Sequence, residues 1–462
     1  GVKCVKKLLS FFISVTLVAM SFFCVPFTAK AAVYEPDTTI YADSYMLINL
    51  DDASYPVVAQ KNQDKLKYPA SLTKIITAMV AINNVDDIKA TATVSKYAIE
   101  SLYGSGAQVA GLKIGTEITV EDLLYLAMVH SACDACNVLA EYVAGSIDEF
   151  VKMMNEWVTS LGCENTHFVN CDGLHDENQY TTASDMAKIT LEALKSDLFV
   201  KISAAENYTY DGVKFIHTNL MLHPSYLTYY YEYAQGIKTG STEQAGYCVI
   251  TKASKNGYNY LAVVMDSPIK TLDGIATKCS FIDAKHLFEW AFNSLKYSTV
   301  VRKNEVAYEV SVNNGKDADT VQLVVKDDVT TLVPATLDPS NVIIKPVDPP
   351  ESLDAPVTQG DVVCKADIIY ADKTIVTVDL VAANTVELSS FLKILNMLKK
   401  FFTNKFVIAL LVLLLLGCIA YVIWFVYRMK RDKKRIAEKR RQQEELDKTL
   451  YGDDDYLPPA KK

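Results

Sequence analysis

Hydrophobic and polar positions alternate in some parts of the chain and recur with helical spacing in others, which predicts a mixed fold. Asn256-Gly257 separates two β-rich runs and is typical of a tight hairpin turn. Four runs are typical of strands: residues 45–50, 57–59, 247–253 and 258–265. The spacing predicts helices over three runs: residues 75–85, 120–143 and 281–295.

Thr119 is the expected N-cap of the second of these helices, followed by Glu121 and Asp122 in the first turn. The first helix has few polar residues, so we expect it to be buried. Strands, then helices, then strands and one more helix favour an α/β (α+β) domain over residues 32–296, in which an antiparallel sheet is joined to a helical region.

The pattern changes after residue 296. Residues 306–312 and 320–325 alternate apolar and polar positions, and turns rich in Asp, Asn, Gly and Pro separate such runs. This predicts a small all-β domain, a β sandwich, over residues 297–388. Residues 389–405 then form an amphipathic, membrane-proximal segment.

Residues 406–427 contain no charge and are long enough to cross a bilayer core of about 30 Å as a helix. The tail, residues 428–462, is basic at first and acidic at its end. A basic block next to a span is typical of the cytoplasmic side.

Residues 1–31 begin with three lysines within the first seven residues, continue with an apolar run, and end in a small-residue site at Ala29-Lys30-Ala31, which predicts a cleaved signal peptide. We therefore expect a cell-membrane protein with one C-terminal span, its folded domains extracytoplasmic and its C-terminus cytoplasmic. A single anchor of this kind suits a Gram-positive-type envelope.

Composition narrows the function classes. Half of the residues are hydrophobic and the formal net charge is −9, which favours a folded protein and argues against a nucleic-acid partner. Of ten cysteines, Cys4 and Cys24 fall in the signal peptide and Cys418 in the span. The odd number left outside argues against a disulfide scaffold, although Cys163 and Cys171 could pair.

The candidate chemistry begins with Ser71 and Lys74. Three residues apart on a helix, they share a face, and Pro69 suits the first turn. The apolar surroundings of Lys74 would lower its pKa toward that of a useful base. A serine beside such a base is suited to covalent acyl transfer.

Two further motifs follow in order. Ser131-Ala132-Cys133 is an S-x-C variant of an S-x-N motif, and Lys238-Thr239-Gly240 precedes the predicted hairpin. S-x-x-K, S-x-N and K-T-G together are the signature set of penicillin-interacting serine enzymes. Each motif alone is weak, but all three occur in the expected order.

With these motifs, residues 41–388 resemble the low-molecular-mass penicillin-binding proteins, the serine D-Ala-D-Ala carboxypeptidases. Segments that look like the middle of that family are residues 165–170, 173–178 and 180–183. The resemblance implies a hydrolase of cell-wall maturation that removes the terminal D-alanine from peptidoglycan stem peptides, is inhibited by β-lactams, and needs no cofactor and no metal.

The resemblance also implies roles for single residues. Ser71 would attack the carbonyl between two D-alanines, Lys74 would take its proton, and Ser131 would pass a proton to the departing D-alanine. The substrate-binding residues would be Lys238, Thr239, Gly240, Ser241 and Cys133. Among these, Lys238 and Thr239 would hold the terminal carboxylate, and backbone N–H groups of Ser71 and Ser241 would form the oxyanion hole.

Cys133 stands where the family usually has asparagine, and a thiol is a weaker hydrogen-bonding group than an amide. This leaves open a catalytically weak or inactive, membrane-tethered binder of peptidoglycan or penicillin. A metal or redox role for His130, Cys133 and Cys136 is disfavoured, because no fourth ligand or βαβ setting accompanies them. A β-lactamase is disfavoured too, since residues 164–178 lack its E-x-x-L-N arrangement.

Overall fold

The computed structural model describes residues 32–451. The predicted signal peptide and the acidic end of the tail, residues 452–462, lie outside the described residues. The chain divides into two compact units. The first comprises the described residues up to Ala307 together with Val324–Asp348 and Cys364–Leu380, and the second comprises Tyr308–Leu323, Pro349–Val363 and the described residues from Val381 onward.

Strands and helices alternate irregularly up to residue 294. The strands are β1 (Ser44–Asn49), β2 (Val57–Lys61), β3 (Thr91–Thr93), β4 (Glu117–Thr119), β5 (Asn207–Tyr210), β6 (Val213–Ile216), β7 (Ala234–Thr242), β8 (Gly246–Lys255), β9 (Tyr258–Ser267), β10 (Ile269–Leu272) and β11 (Ile275–Lys278). The helices are α1 (Thr73–Asn84), α2 (Lys96–Glu100), α3 (Val120–Val129), α4 (Cys133–Ala144), α5 (Ile147–Ser160), α6 (Ala183–Ala193), α7 (Asp197–Ser203) and α8 (Cys279–Ser294), with 3₁₀ turns at Ala70–Leu72 and Leu220–Leu222.

A five-stranded antiparallel sheet in the order β2-β1-β9-β8-β7 is the centre of this region. Successive side chains of β9 point to opposite faces and are buried on both. Leu261 and Val263 pack into a core with α1 and α3, whereas Tyr260 and Ala262 pack into a second core with α8. The predicted antiparallel sheet with a helical region is thereby confirmed.

The turn chemistry of the predicted hairpin is confirmed. Asn256 and Gly257 both have positive φ, 53° and 84°, as a two-residue turn between twisted strands requires. The N-cap at Thr119 is also present, its hydroxyl accepting from the backbone N–H of Asp122 at 3.0 Å. Helix α1 is buried from Thr73 to Ala81, which explains its nearly uniform apolar sequence.

The helix predicted over residues 120–143 is interrupted. The structure has α3 and α4 instead, separated at residues 130–132. The continuous apolar run hid this break, since both helices are buried along most of their length. The break matters because it places Ser131 between the two helices.

Strands dominate the chain from Leu295 to Ala382, as predicted. They are β12 (Leu295–Val301), β13 (Val306–Asn313), β14 (Thr320–Val325), β15 (Val329–Pro334), β16 (Ile343–Val347), β17 (Ser352–Asp354), β18 (Val362–Tyr370) and β19 (Lys373–Ala382), with a 3₁₀ turn at Pro339–Asn341. In the first unit β12 pairs with β15 and β16 with β18, both antiparallel. In the second unit β13 pairs with β17 in parallel.

Two exposed helices end the described chain, α9 (Ser390–Thr403) and α10 (Lys405–Tyr451). Within the described part of the chain, α10 is the one helix long and apolar enough to cross a membrane, and none of its most apolar stretch is buried by protein. The predicted amphipathic segment corresponds to α9. Helix α10 continues from the predicted span through the basic residues of the tail.

Candidate active site

Ser71 and Lys74 meet at the start of α1. Ser71 lies in the 3₁₀ turn before the helix, and Lys74 Nζ is 3.0 Å from Ser71 Oγ. Lys74 is completely buried and also donates to the backbone carbonyl of Asp172 and to Cys133 Sγ, the latter at 3.4 Å. The i to i+3 spacing therefore produces the serine–lysine contact that acyl transfer requires.

Ser131 lies in the break between α3 and α4, where its backbone has a φ of 64°. Ala70, the residue before Ser71, is also left-handed, with a φ of 46°. Such non-glycine residues are strained and are held in place by their surroundings. Near Ser131, part of this support is the hydrogen bond from the Cys133 N–H to the carbonyl of Gln108 at 2.7 Å.

Lys238 and Thr239 lie on the edge strand β7 of the sheet. Lys238 is completely buried, and its Nζ donates to the carbonyl of Thr239 at 2.9 Å. Thr239 Oγ1 donates to Thr218 Oγ1 at 2.7 Å. Asn219, next along the chain, donates from Nδ2 to the carbonyl of Gly236 at 2.6 Å and so holds β7 just ahead of Lys238.

Gly240 lets β7 lie against the nucleophile turn. A Cβ added at Gly240 would be 2.9 Å from the carbonyl oxygen of Pro69 and 3.1 Å from the backbone nitrogen of Ser71. Gly240 is one of the predicted substrate-binding residues, and in the structure the side on which a Cβ would stand faces the turn. Gly173 also lies against this turn. A Cβ added at Gly173 would be only 2.1 Å from the carbonyl oxygen of Ala70.

These elements surround a cavity of about 470 Å³. Its lining includes six of the predicted site residues, Ser71, Ser131, Cys133, Thr239, Gly240 and Ser241. Lys74 and Lys238, which complete the predicted set, are fully buried and reach the lining residues through the contacts above. Three motifs spread over 170 residues of sequence thus meet in one place.

The two buried lysines have opposite pKa shifts. Burial acts to lower the pKa of Lys74, but neighbouring Cys133, Cys136 and Asp172 outweigh it, so that pKa lies above its ordinary value. The prediction that burial leaves Lys74 with a lowered pKa is therefore wrong. Burial, and then the charge of Lys74, place the pKa of Lys238 well below its ordinary value. Burial raises the pKa of the Asp172 carboxyl.

The C-x-x-C stretch has two different thiols. Burial raises the pKa of both, but Cys133 lines the cavity while Cys136 is completely buried and bonds the carbonyl of Ala132 at 3.3 Å. Cys163 and Cys171 are buried and free rather than paired. In the part of the chain that the structure describes, His, Cys, Asp and Glu side chains form no group that could hold a metal ion.

Several lining residues were not among the predicted ones. They are Ser105, Gly106, Ala107, Gln108, Asp172, Gly173, Leu174, His175, Thr218, Thr242 and Gln244. Asp172 bonds Lys74 through its backbone, a role that any residue type could fill, so its side chain gave no signal. Thr218 could have been suspected as a second hydroxyl near the K-T-G motif, but only the fold brings it there.

Two protein-family models match separate stretches of the chain. Residues 29–269 match the model of the D-alanyl-D-alanine carboxypeptidase family, peptidase S11, and residues 296–388 match that of the penicillin-binding protein 5 C-terminal domain. D-alanyl-D-alanine carboxypeptidase DacA of Escherichia coli (strain K12) is 30% identical over 380 residues, which are 79% of this chain and 89% of that protein. DacF of Bacillus subtilis (strain 168), another D-alanyl-D-alanine carboxypeptidase, is 29% identical over 69% of this chain and 79% of its own length.

Solved structures of penicillin-binding proteins and of a related transpeptidase are similar to this chain. Penicillin binding protein 5 from Haemophilus influenzae has a TM-score of 0.56 at 27% identity, covering 77% of this chain and all of that one. The Streptomyces K15 DD-transpeptidase has a TM-score of 0.50 at 27% identity, covering 55% of this chain and 98% of that one.

Proposed function

Because the chain belongs to the family of serine D-alanyl-D-alanine carboxypeptidases, which act on peptidoglycan stem peptides and bind β-lactams, we propose that Ser71 is its nucleophile. The observation that carries this assignment is the 3.0 Å contact between Lys74 Nζ and Ser71 Oγ beside a cavity that also receives the other two motifs. A serine with an adjacent lysine is the arrangement that acyl-enzyme chemistry requires.

The substrate's terminal carboxylate would bind at Thr239 and the buried cation of Lys238, whose charge a bound anion favours. Ser71 Oγ attacks the carbonyl between the D-alanines as its proton passes to a Lys74 that has lost its own. The C–N bond then breaks, and D-alanine leaves with a proton relayed through Ser131. Water hydrolyses the ester on Ser71 and restores the serine.

The oxyanion formed during attack would be bound by backbone N–H groups of Ser71 and Ser241. The close approach of β7 to the Ser71 turn, which Gly240 permits, supports this pairing. A well-placed donor of this kind contributes about 3 kcal/mol to lowering the barrier. Cys133, which accepts a hydrogen bond from Lys74, would hold that lysine as well as face the substrate.

The test is a comparison of the detergent-solubilised chain with Ser71→Ala. We expect the unaltered chain to release D-alanine from a D-Ala-D-Ala-terminated peptide and to bind labelled penicillin covalently, and both reactions to be lost in Ser71→Ala. Labelling that persists in Ser71→Ala would contradict the assignment. Penicillin labelling at Ser71 without D-alanine release would favour the binder that the weak hydrogen bonding of Cys133 suggests.

We also propose that α10 anchors the enzyme, with residues 32–405 outside the membrane and the tail in the cytoplasm. The helix has 47 residues and is about 70 Å long at 1.5 Å per residue, so it extends well beyond a bilayer core of about 30 Å. Its basic residues begin where the apolar run ends, which supports this orientation. The domain boundaries that we propose are residues 32–296 and 297–388.

A further inference from the structure

One wall of the Ser71 cavity is a segment with neither helix nor strand, residues 101–112, here called the wall segment. It contributes residues 105–108 to the lining. Gly104, Gly106 and Gly111 in it are left-handed, with φ of 76°, 71° and 81°. Because glycine loses more conformational freedom than other residues on ordering, such a segment needs strong tethers to keep one shape.

The tethers come from the first turns of α4. Asp134 Oδ1 accepts from the backbone N–H of Ala110 at 2.9 Å, and Oδ2 accepts from those of Gly111 at 3.0 Å and Leu112 at 3.1 Å. One residue earlier, the Cys133 N–H donates to the wall segment through the carbonyl of Gln108. The late half of the wall segment is thereby bound to the helix that begins at Cys133.

Asn137 holds the other end. Its Nδ2 donates to the carbonyl of Ala98 at 3.2 Å and to Ser101 Oγ at 3.3 Å. Three residues after Asp134, it lies on the same face of α4. The wall segment is thus attached to α4 at both ends, and the part between the attachments lines the cavity.

Asp134 does more than accept hydrogen bonds from the first turn of its own helix. It is 1% exposed, and only one of its four backbone donors, Ala135 N–H at 3.0 Å, belongs to α4. No ion pair within the described residues includes it. A buried carboxylate without a cation is costly unless hydrogen bonds satisfy it, and here the wall segment supplies most of them.

We propose that Asp134 is a positioning residue that fixes the wall segment beside Ser71 and thereby sets the affinity for the peptide substrate. The inference rests on the proposed function for its substrate, but the tether itself can be tested without it. Asp134 touches no reacting group, so its loss should weaken binding of the peptide and leave the chemical step nearly intact.

The experiment compares Asp134→Asn with Asp283→Asn in the full chain. Asp283 is a matched control, because it is also buried and accepts two backbone N–H bonds, from Tyr41 and Ala42, which do not line the cavity. We expect Asp134→Asn to raise KM for a D-Ala-D-Ala peptide about tenfold with kcat changed by less than about twofold. Limited proteolysis should begin to cut within residues 101–112 in Asp134→Asn but not in Asp283→Asn.

An unchanged KM with no new cleavage in the wall segment would overturn the proposal, as would a fall in kcat at constant KM. If Asp134→Asn does not fold, Ala110→Pro removes one donor of the wall segment while Asp134 stays in place, and it should raise KM in the same direction. D-alanine release that survives in Ser71→Ala would refute the proposed nucleophile instead. The proteolysis comparison would still decide whether Asp134 holds the wall segment.

Discussion

Cys133, which lines the cavity, accepts a hydrogen bond from the fully buried Lys74, so the residue at position 133 influences how readily Lys74 loses a proton. Cys133 is foremost among the neighbours that raise the pKa of Lys74. Burial in turn raises the pKa of the Cys133 thiol. The carbonyl oxygen of an asparagine at this position would accept the same hydrogen bond, but the amide does not titrate.

We therefore expect Cys133→Asn to move the acid limb of kcat/KM to lower pH. In the proposed mechanism the base is the neutral amine of Lys74, so activity should rise with pH through the pKa of Lys74, by about tenfold per pH unit on the limb. Replacing Cys133 takes away the neighbour that contributes most to raising the pKa of Lys74. That pKa therefore falls, and the rise in activity begins at lower pH. The measurement is a pH profile of D-alanine release.

The matched control for this profile is Cys163→Ser, which alters a buried cysteine outside the cavity lining. A better hydrogen bond to the substrate, on the order of 1 kcal/mol, would raise activity equally at every pH and leave the limb in place. An unshifted limb in Cys133→Asn would therefore show that the thiol does not control Lys74.

At the scale of elements, the site depends on the approach of β7 to the turn that carries Ser71. Gly240→Ala would place a methyl group 2.9 Å from the carbonyl oxygen of Pro69, closer than real contacts allow, so strand and turn must separate. We expect acylation by labelled penicillin to slow about 100-fold, because small displacements of reacting groups are costly. The overpacking should destabilise the fold by about 1–3 kcal/mol.

Gly162→Ala separates these two effects. Gly162 has a φ of 70° and open space around its Cβ position, so the alanine is strained but displaces nothing. We expect a loss of about 1 kcal/mol from the left-handed backbone and an unchanged acylation rate. Acylation of Gly240→Ala at the normal rate would contradict the role given to this contact.

Local signals predicted the elements that depend on local chemistry. Asn256-Gly257 predicted its hairpin and Thr119 its helix start, because turn and cap preferences act over a few residues. The break at Ser131 was missed because tertiary bonds, such as that from Cys133 to Gln108, stabilise a backbone that the apolar pattern does not disfavour. The raised pKa of Lys74 was missed for the same reason, since its neighbours come from distant segments.

At the scale of the whole molecule, the candidate site and the apolar C-terminal helices are separate in sequence. The residues of the candidate site lie between positions 71 and 244, and the family matches end at residue 388. Helices α9 and α10 follow, exposed along nearly all of their length, with large apolar side chains among the exposed ones. Exposed apolar surface of this extent is typical of a membrane-contacting segment.

Deletion of residues 389–462 should consequently release the enzyme from the membrane without loss of activity. The cavity residues and their hydrogen-bond partners all lie before the deletion, so D-alanine release from a soluble peptide should keep its kcat and KM. The measurement is the distribution of penicillin-labelled protein between membrane and supernatant after alkaline extraction, for the full and the shortened chain. Deletion of residues 428–462 alone is the control, because it keeps the apolar span and should leave the protein in the membrane fraction. A shortened chain that lacks residues 389–462 and still sediments with membranes would show that another part of the protein binds the bilayer.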